Sequence, residues 1–358
     1  MHSLDSVAPS TIFLTGIVEK MINNKSVFGV VLRVERGDEG FSWTGAAGNL
    51  QTESRYFIAS VTKLYINAII MKLVEENRLK LEDKITQYLP EKITENLHVL
   101  KGVDFSRDIT INHLISNRSG LPDYFFHKQA NGKTAADELL AGKDESWHPE
   151  KVINLVKTLK PNFKPGKKGI VAYSDTNYQL LGRIIENITG KTIGVVFKEF
   201  IFDELGLQDT YAYEDITDDT PTPFFYKAKL LWLPRYIASV TPEGGIVSTA
   251  AEVMLFLKAF FRGRFFPAER IEDLKRWNLI LPPPALFLYG IGLEKLWIPR
   301  IITPFKPIKE IIGFWGQTGS FAFYNSDTDL YFTGTTNQIN GDGHKAAVKA
   351  MLKIIKAS

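Results

Sequence analysis

Ser60 and Lys63 are the residues whose types and spacing point most directly to chemistry. A serine hydroxyl attacks a carbonyl carbon effectively only when a neighbouring base removes its proton. A lysine three residues later, at the start of a helix, lies on the same face of that helix, and Ser60 is the one serine of the sequence with a lysine at this spacing. Because an unperturbed lysine is protonated at neutral pH, proton abstraction by Lys63 requires that it be buried.

The alternative is a serine that caps a helix and is followed by a solvated lysine. Three apolar or small residues, 57–59, precede Ser60, and apolar residues recur at intervals of three and four from Val61 to Val74. This pattern predicts a helix with one buried face that runs from Ser60 to about Asn77. It favours a buried pair over an exposed one.

Tyr173, Ser174 and Asp175 form the second group with chemical potential. They come directly before a predicted helix over 177–189, where a short polar loop can present side chains into a cleft. A tyrosine can relay protons when a neighbouring ammonium eases its ionisation. The alternative is a tyrosine packed in the core and followed by two helix-capping residues.

The third group is the run Gly316, Gln317, Thr318, Gly319 and Ser320, at the entry to a predicted strand. Glycines let a substrate approach the strand backbone closely. A main-chain N–H group at such an edge can bind the oxyanion that develops during acyl transfer. The alternative is a glycine-rich turn that opens a hairpin.

Together, the three groups resemble the S-x-x-K, Y-S/A-N and K/H-T-G motifs of one family, in the same order and with a similar spread along the chain. That family comprises serine β-lactamases, D-alanyl-D-alanine peptidases (penicillin-binding proteins) and related esterases, and the chain looks most like its class C β-lactamase branch. Residues 113–124, 173–191 and 242–256 also resemble the family. The resemblance extends from about residue 12 to residue 356.

The resemblance implies a role for each motif residue. Ser60 would be the nucleophile, Lys63 its base or the partner of that base, and Tyr173 the relay that carries the proton to the leaving group. The main-chain N–H groups of Ser60 and Ser320 would form the oxyanion hole. Sites of this family need no metal and no cofactor. The other motif residues that would contact the substrate are Asp175, Gln317, Thr318 and Gly319.

The chain departs from the family motifs at two positions. Asp175 replaces the usual asparagine and places a negative charge near Lys63, which favours the protonated lysine. Gln317 replaces the usual lysine or histidine, so the cation associated with a substrate carboxylate is missing. We therefore expect a serine hydrolase that acts on esters, amides or D-amino-acid peptides. A β-lactamase, or a catalytically silent scaffold that only binds ligands, is the alternative.

Apolar and aromatic side chains near residues 221–236 support a preference for neutral substrates with an apolar acyl group. This segment is interrupted by proline and is expected to be an ordered loop. Its side chains could form an acyl pocket, or they could simply cover the core between two lobes. Another cation, such as Lys309 or Arg300, would replace the missing one if it reached the site. The apolar residues concerned are Phe224, Phe225, Tyr226, Leu231, Trp232, Leu233, Leu286, Phe287 and Leu288.

Other hydrolase classes lack their sequence signals. An α/β-hydrolase needs G-x-S-x-G, and no serine here has glycines at both of those positions. A zinc hydrolase needs clustered ligands, whereas the histidines at 2, 98, 113, 127, 148 and 344 are scattered. The absence of cysteine excludes disulfides and thiol catalysis.

Composition limits the class of partner. The 358 residues carry 43 basic and 40 acidic side chains, a net charge of +3, which gives no case for a nucleic-acid surface. No stretch approaches the roughly 20 apolar residues of a membrane span, and the first residues do not resemble a signal peptide. The sequence as written predicts a cytoplasmic protein with a small-molecule ester, amide or short peptide as substrate. An exported protein whose signal has been removed is the alternative, and the oligomeric state is not predicted.

The order of the predicted elements indicates an α+β fold, an α/β sandwich in which an antiparallel sheet is flanked by the N- and C-terminal helices. We expect a single domain over 1–358, with a sheet lobe at about 11–59 and 241–358 and a mostly helical lobe inserted at about 60–240. The predicted helices are 11–24, 60–77, 110–117, 149–159, 177–189 and 343–356. The predicted strands are 27–37, 41–48, 290–298, 320–327 and 330–338, with a tight turn over 326–329.

Overall fold

The computed structural model describes residues 9–22, 26–129, 131–281, 287–302, 307–339 and 341–358. These residues combine a large central sheet with many helices, and all but one of the strand pairings in that sheet are antiparallel. The predicted α+β fold is confirmed. None of the helices in these ranges is both long and apolar enough to cross a membrane.

The strands of the described residues are numbered in chain order. They are β1 Gly29–Arg36, β2 Ser42–Gly48, β3 Tyr56–Phe57, β4 Val99–Leu100, β5 Val103–Asp104, β6 Ile170–Ala172, β7 Tyr211–Ala212, β8 Phe224–Tyr226, β9 Lys229–Leu231, β10 Ile246–Ser248, β11 Asn278–Leu281, β12 Phe287–Tyr289, β13 Glu294–Leu296, β14 Ile312–Trp315, β15 Ser320–Asn325 and β16 Leu330–Thr335.

The α-helices of the same ranges are also numbered in chain order. They are α1 Thr11–Ile22, α2 Thr62–Glu75, α3 Glu91–Thr94, α4 Ile111–Ile115, α5 Ala135–Leu140, α6 Pro149–Thr158, α7 Asp175–Thr189, α8 Ile193–Phe197, α9 Asp203–Leu205, α10 Pro234–Ser239, α11 Thr241–Gly244, α12 Ala250–Phe261, α13 Arg270–Leu274 and α14 Gly341–Ala357.

The central sheet has the strand order β2-β1-β16-β15-β14-β13-β12-β11-β6. β1, from the N-terminal part of the chain, pairs with β16, from the C-terminal part, so both ends of the chain build the sheet. β15 and β16 form a hairpin whose turn over 326–329 matches the prediction. Asp329 in that turn adopts φ 52°, a conformation that aspartate tolerates better than most residues.

Alternation along β1 divides its side chains between two cores, because successive residues of a strand point to opposite faces. Val30, Leu32 and Val34 face the terminal helices α1 and α14, to which Leu14 contributes a fully buried side chain. Val31 faces the larger core on the other side of the sheet. Both faces of the sheet are therefore covered, and the terminal helices cover one of them, as predicted.

The start of α2 lies against the middle of the sheet. α12 packs on β1, β15 and β16, and α2, α7 and α11 pack against one another. The turn that precedes α2 contacts β14 and β15. The first ten residues of α2 are all buried, more than the single buried face that the periodicity predicted.

Three segments differ from the predictions. The segment 221–236 is not a loop throughout: β8 and β9 form a hairpin, and α10 begins at Pro234, since proline fits the first turn of a helix. The strand predicted over 290–298 is confined to β13, because Gly292 turns the chain with φ 61°. β6 lies within the segment predicted to be mostly helical, yet it pairs in parallel with β11 in the central sheet. The division into two lobes stays a prediction.

Candidate active site

Ser60 lies in a single 3₁₀ turn, Ala59–Val61, that leads directly into α2. Ala59 adopts φ 45°, a left-handed conformation that persists only where the surroundings fix the backbone. Here, hydrogen bonds from two strands fix the backbone next to Ala59. The Ile58 N–H donates to the carbonyl of Ile246 in β10 at 3.0 Å, and the Ile58 carbonyl accepts a 2.6 Å hydrogen bond from the Ser320 hydroxyl at the start of β15.

Lys63 is fully buried one turn further along, as its proposed chemistry requires. Its Nζ donates to Ser60 Oγ at 2.8 Å and to the main-chain carbonyl of Glu243 at 2.7 Å. It also lies 2.8 Å from Asp175 Oδ1 in an ion pair. The charge of Lys63 is therefore neutralised by Asp175, and its contacts fix its position against the serine.

Tyr173 reaches Ser60 from the opposite side. It follows β6, and its hydroxyl donates to Ser60 Oγ at 2.8 Å. Burial raises the pKa of Tyr173 well above its ordinary value, and the neighbouring Asp175 and Glu294 carboxyls raise it further, although the hydrogen bond to Ser60 opposes them. Tyr173 is therefore a neutral phenol at physiological pH, suited to donate a proton rather than to act as the resting base.

The third motif holds the turn of Ser60 in place. Thr318 Oγ1 donates to the Phe57 carbonyl at 2.7 Å, and Ser320 Oγ donates to the carbonyl of Ile58. A Cβ atom at Gly316 would lie 2.0 Å from Ser320 Oγ, so only glycine fits there. The two segments whose N–H groups were predicted to form the oxyanion hole are thus joined by side-chain hydrogen bonds.

A mostly apolar cavity opens beside Ser60. Its interior volume is about 70 Å³, and it reaches about 630 Å³ when the open solvent at its mouth is counted, so it is a small cleft that continues into solvent. Of the motif residues, Ser60, Asp175, Gln317 and Thr318 line it, whereas Gly319 and Ser320 are not among the lining residues. Its apolar lining includes Phe57, Phe125, Leu139, Phe224, Leu233 and Tyr236.

The predicted aromatic segment contributes less to this cavity than expected. Phe224 and Leu233 line it, but Phe225 stacks on Phe28, with ring centroids 4.5 Å apart. Phe287 packs against Trp315 in the core under the terminal helices. Leu286 lies outside the described residues.

No lysine or arginine is present among the described residues that line the cavity. Lys309 contacts Asp327, which follows the last residue of β15, whereas the site lies at the first residue of that strand. The Lys309 side chain is 84% exposed. Lys309 and Arg300 therefore do not replace the cation that Gln317 lacks.

Two buried acids and a tyrosine near Lys63 were not predicted. Glu243 lines the cavity, and one of its carboxylate oxygens accepts a hydrogen bond from the buried Tyr124 hydroxyl. Asp123 accepts from the N–H of Phe125 at 3.0 Å. Burial, with the nearby Asp175 charge, raises the pKa of both carboxyls. In the sequence, the segments 113–124 and 242–256, which contain these residues, stood out only by their family resemblance. Their spacing along the chain does not reveal that they meet at Lys63.

Within the residues that the structure describes, no group of three or more histidine, aspartate and glutamate side chains is arranged to hold a metal ion. Lys63, Tyr173 and Ser60 are instead joined by direct hydrogen bonds. This arrangement can move a proton between the serine, the lysine and the tyrosine.

Comparison with known proteins places these features in context. A sequence model of the family described as Beta-lactamase matches residues 14–354. N-acetylmuramyl-L-alanine amidase of Bacillus subtilis (strain 168) is 29% identical over 173 residues, which are 48% of this chain and 36% of that protein. A putative D-alanyl-D-alanine carboxypeptidase of Salmonella agona (strain SL483) is 31% identical over 160 residues, 44% of this chain and 34% of that protein. The match thus spans about a third of the length of these curated relatives.

Among solved structures, the D-stereospecific amidohydrolase from Streptomyces sp. has a TM-score of 0.79 to this chain at 23% sequence identity. The similarity covers 96% of this chain and 98% of that one. At this identity the likeness shows a shared fold.

Proposed function

Because the chain belongs to the beta-lactamase family, we propose that it is a serine hydrolase that forms an acyl-enzyme on Ser60. The observation that carries this proposal is the position of Ser60 Oγ, which lies 2.8 Å from Lys63 Nζ and 2.8 Å from the Tyr173 hydroxyl. Nucleophile, base and acid of an acyl transfer need this proximity. The apolar cavity beside them supplies room for an acyl group.

In acylation, Ser60 Oγ attacks the substrate carbonyl carbon, and a Lys63 that has released one proton accepts the proton of the hydroxyl. The main-chain N–H groups of Ser60 and Ser320 donate to the oxyanion that forms. Tyr173 then protonates the leaving nitrogen or oxygen and recovers its proton from Lys63. Water attacks the acyl-enzyme by the reverse sequence, so Ser60 is regenerated.

The substrates that we propose are carboxylate-free amides and esters with an apolar acyl group, including D-amino-acid derivatives. Relatives named as a putative D-alanyl-D-alanine carboxypeptidase and a D-stereospecific amidohydrolase support a D-amino-acid acyl group. Gln317 disfavours the carboxylate that a carboxypeptidase substrate carries on its leaving group. The neutral Gln317 and the absence of a lysine or arginine among the described lining residues disfavour anionic ligands. Thr318 and Asp175 line the same cavity, and we propose that they contact the substrate together with Gly319.

Covalent labelling tests the proposal directly. A fluorophosphonate probe should react with the folded protein, and mass spectrometry should place the adduct on Ser60. Ser60→Ala should abolish both labelling and hydrolysis of p-nitrophenyl butyrate. Ser54→Ala is the matched control, because Ser54 is also partly exposed but its hydroxyl only accepts from the Gln51 N–H in a turn. Labelling at another residue, or turnover by Ser60→Ala, would contradict the proposal.

A further inference from the structure

Glu243 carries a carboxylate oxygen that no described residue satisfies. Glu243 lies in α11, is 3% exposed and is one of the residues that line the cavity beside Ser60. One carboxylate oxygen, Oε1, accepts the Tyr124 hydroxyl. The other, Oε2, is buried and has no hydrogen-bond partner among the described residues. A buried polar atom of this kind is costly, so its retention at a ligand cavity needs a reason.

The neighbouring lysine does not supply that partner. Lys63 Nζ contacts the main-chain carbonyl of Glu243, not its carboxylate, and its ion pair is made with Asp175. Asp123 and Glu294 are two more buried acids near Lys63, so that four carboxyl groups of the described residues lie around one ammonium. Burial raises the pKa of Asp123, Glu243 and Glu294, which keeps these carboxyls neutral in the unliganded protein. An ammonium group placed beside Glu243 favours the charged carboxylate and so promotes release of that proton.

The position of Glu243 suits a cation attached next to the reacting carbonyl. A single nitrogen, Lys63 Nζ, bridges the Glu243 carbonyl and Ser60 Oγ. Gly244 lies against Ala59, so that a Cβ placed on it would be 3.6 Å from the Ala59 backbone. The α-nitrogen of an amino-acid amide is bonded to the carbon adjacent to the carbonyl that Ser60 attacks. That nitrogen must therefore lie within a few ångströms of Ser60, on a wall of the cavity.

We propose that Glu243 binds the α-ammonium group of the substrate, so that the enzyme selects α-amino amides and esters over the same compounds without the amine. The inference rests on the proposed serine hydrolase and names the residue that sets its substrate class. The ammonium donates to Oε2 of Glu243, and Tyr124 keeps the carboxylate oriented through Oε1. The apolar side chain of the substrate occupies the part of the cavity lined by Phe125, Leu139 and Tyr236.

The test compares two substrates that differ only in the amine: phenylalanine p-nitroanilide and 3-phenylpropionic acid p-nitroanilide. Both enantiomers of the first are assayed at pH 6.5, where an α-amino group of ordinary pKa, about 7.7–8.0, is protonated. The unmodified protein should show a kcat/KM about 10- to 100-fold higher for the better enantiomer than for the compound without the amine, the usual scale of a charge-assisted hydrogen bond. This ratio of kcat/KM values is measured on the unmodified protein, so it does not depend on whether a variant folds.

Glu243→Gln should lower that ratio about 10-fold or more, because it keeps an acceptor for Tyr124 but cannot release a proton to become the charged partner of the ammonium. Glu243→Asp, which keeps the charge on a shorter side chain, should retain part of the ratio. Glu294→Gln is the matched control: Glu294 is also buried near the site but does not line the cavity, so the ratio should not move. If Glu294→Gln lowered the ratio as much as Glu243→Gln does, a general attraction of cations by the buried acids would explain the preference, and the site at Glu243 would be wrong.

The outcomes separate this inference from the function on which it rests. If both anilides acylate Ser60 with similar kcat/KM, or if Glu243→Gln leaves the ratio unchanged, the ammonium site is wrong and the hydrolase stands. If neither anilide nor p-nitrophenyl butyrate acylates Ser60, the proposed function is wrong and this inference falls with it.

Discussion

Replacing Lys63 with methionine should destabilise the protein by about 3–5 kcal/mol, and a second substitution, Asp175→Asn, should recover about 1–3 kcal/mol of that loss. Lys63 Nζ and Asp175 Oδ1 lie 2.8 Å apart, and their side chains are 1% and 11% exposed. Removing one partner of a buried ion pair leaves a buried charge without compensation, which typically costs about 3–5 kcal/mol. Removing both charges avoids that cost.

The magnitude follows from the geometry of the pair. At 2.8 Å and an effective dielectric constant of 20, the attraction between the two charges is about 6 kcal/mol. Desolvation of both groups offsets much of it. The double variant loses only the hydrogen bonds of Nζ to Ser60 and Glu243, each worth about 1 kcal/mol or slightly more. Asp175→Asn alone leaves Lys63 without its partner and should also cost about 3–5 kcal/mol. The two single costs therefore exceed the cost of the double variant, about 2 kcal/mol, by about 4–8 kcal/mol, which is the expected coupling free energy.

Thermal and urea unfolding of the four proteins measure this coupling. For a chain of 358 residues, a loss of 3–5 kcal/mol corresponds to a fall in Tm of about 4–7 °C. Hydrolysis of p-nitrophenyl butyrate is measured in parallel. Activity should stay at least about 10²-fold below that of the unmodified protein in both the single and the double lysine variant, because restored stability does not restore proton transfer.

The pair Lys258 and Glu35 provides a matched control. Lys258 Nζ lies 2.9 Å from Glu35 Oε2, and these side chains are 10% and 12% exposed, between α12 and β1. Lys258→Met should destabilise the protein less than Lys63→Met does, because Arg33 still pairs with Glu35, and it should change activity little. Two results would refute the reasoning at Lys63. One is that the unfolding free energies lost in Lys63→Met and Asp175→Asn simply add in the double variant, with a coupling under about 0.5 kcal/mol. The other is near-normal turnover by the double variant.

Three further substitutions have defined outcomes. Tyr173→Phe should lower kcat for amides about 10²-fold or more, because it removes the proton donor to the leaving group, and an unchanged kcat would exclude that role. Gln317→His should raise kcat/KM for nitrocefin relative to p-nitrophenyl butyrate by one to two orders of magnitude below pH 6.5, where an ordinary histidine is charged; an unchanged ranking would show that Gln317 does not set the preference. Burial raises the pKa of Glu294 to about 8 from 4.5, so this group favours folding below pH 4.5, and that contribution is lost as the pH rises through 8. Glu294→Gln should therefore stabilise the protein by at least about 1 kcal/mol more at pH 8.5 than at pH 5 in urea unfolding, and an equal effect at both values would contradict the neutral buried carboxyl.

The parts of the fold that were predicted from the sequence depend on local periodicity. β15 and β16 consist largely of aromatic, β-branched and other apolar residues, and the turn over 326–329 separates them. Their hairpin therefore follows from residues that are close in the sequence. The contact of Ser60 with Lys63 likewise follows from helix geometry over three residues. Tyr173 lies 113 positions from Ser60, and its approach was expected only from the family resemblance.

The parts that were not predicted depend on contacts between distant segments. β6 has three residues, too few for a period, and it forms only because β11 offers an edge with which to pair. Glu243 has ordinary neighbours in the sequence, and its burial results from the packing of α11 against α2 and α7. A charge that a tertiary contact buries leaves no pattern along the chain, and such charges set the electrostatics of this site.

Gln317 and Glu243 should therefore act independently on an anionic ligand. Both line the cavity, but no hydrogen-bond partner in the described residues is common to them. The single nearby ammonium, on Lys63, is paired with Asp175, so a carboxylate ligand gains no cation and approaches buried acids. Gln317→His supplies a cation and should raise kcat/KM for nitrocefin. Glu243→Gln should leave that value nearly unchanged, because the raised pKa of Glu243 keeps its carboxyl neutral beside an anion. The double variant should therefore match Gln317→His. If the gain from Gln317→His appeared only in the presence of Glu243→Gln, the two groups would act on the same part of the ligand, and the division of the cavity into a carboxylate side and an ammonium side would be wrong.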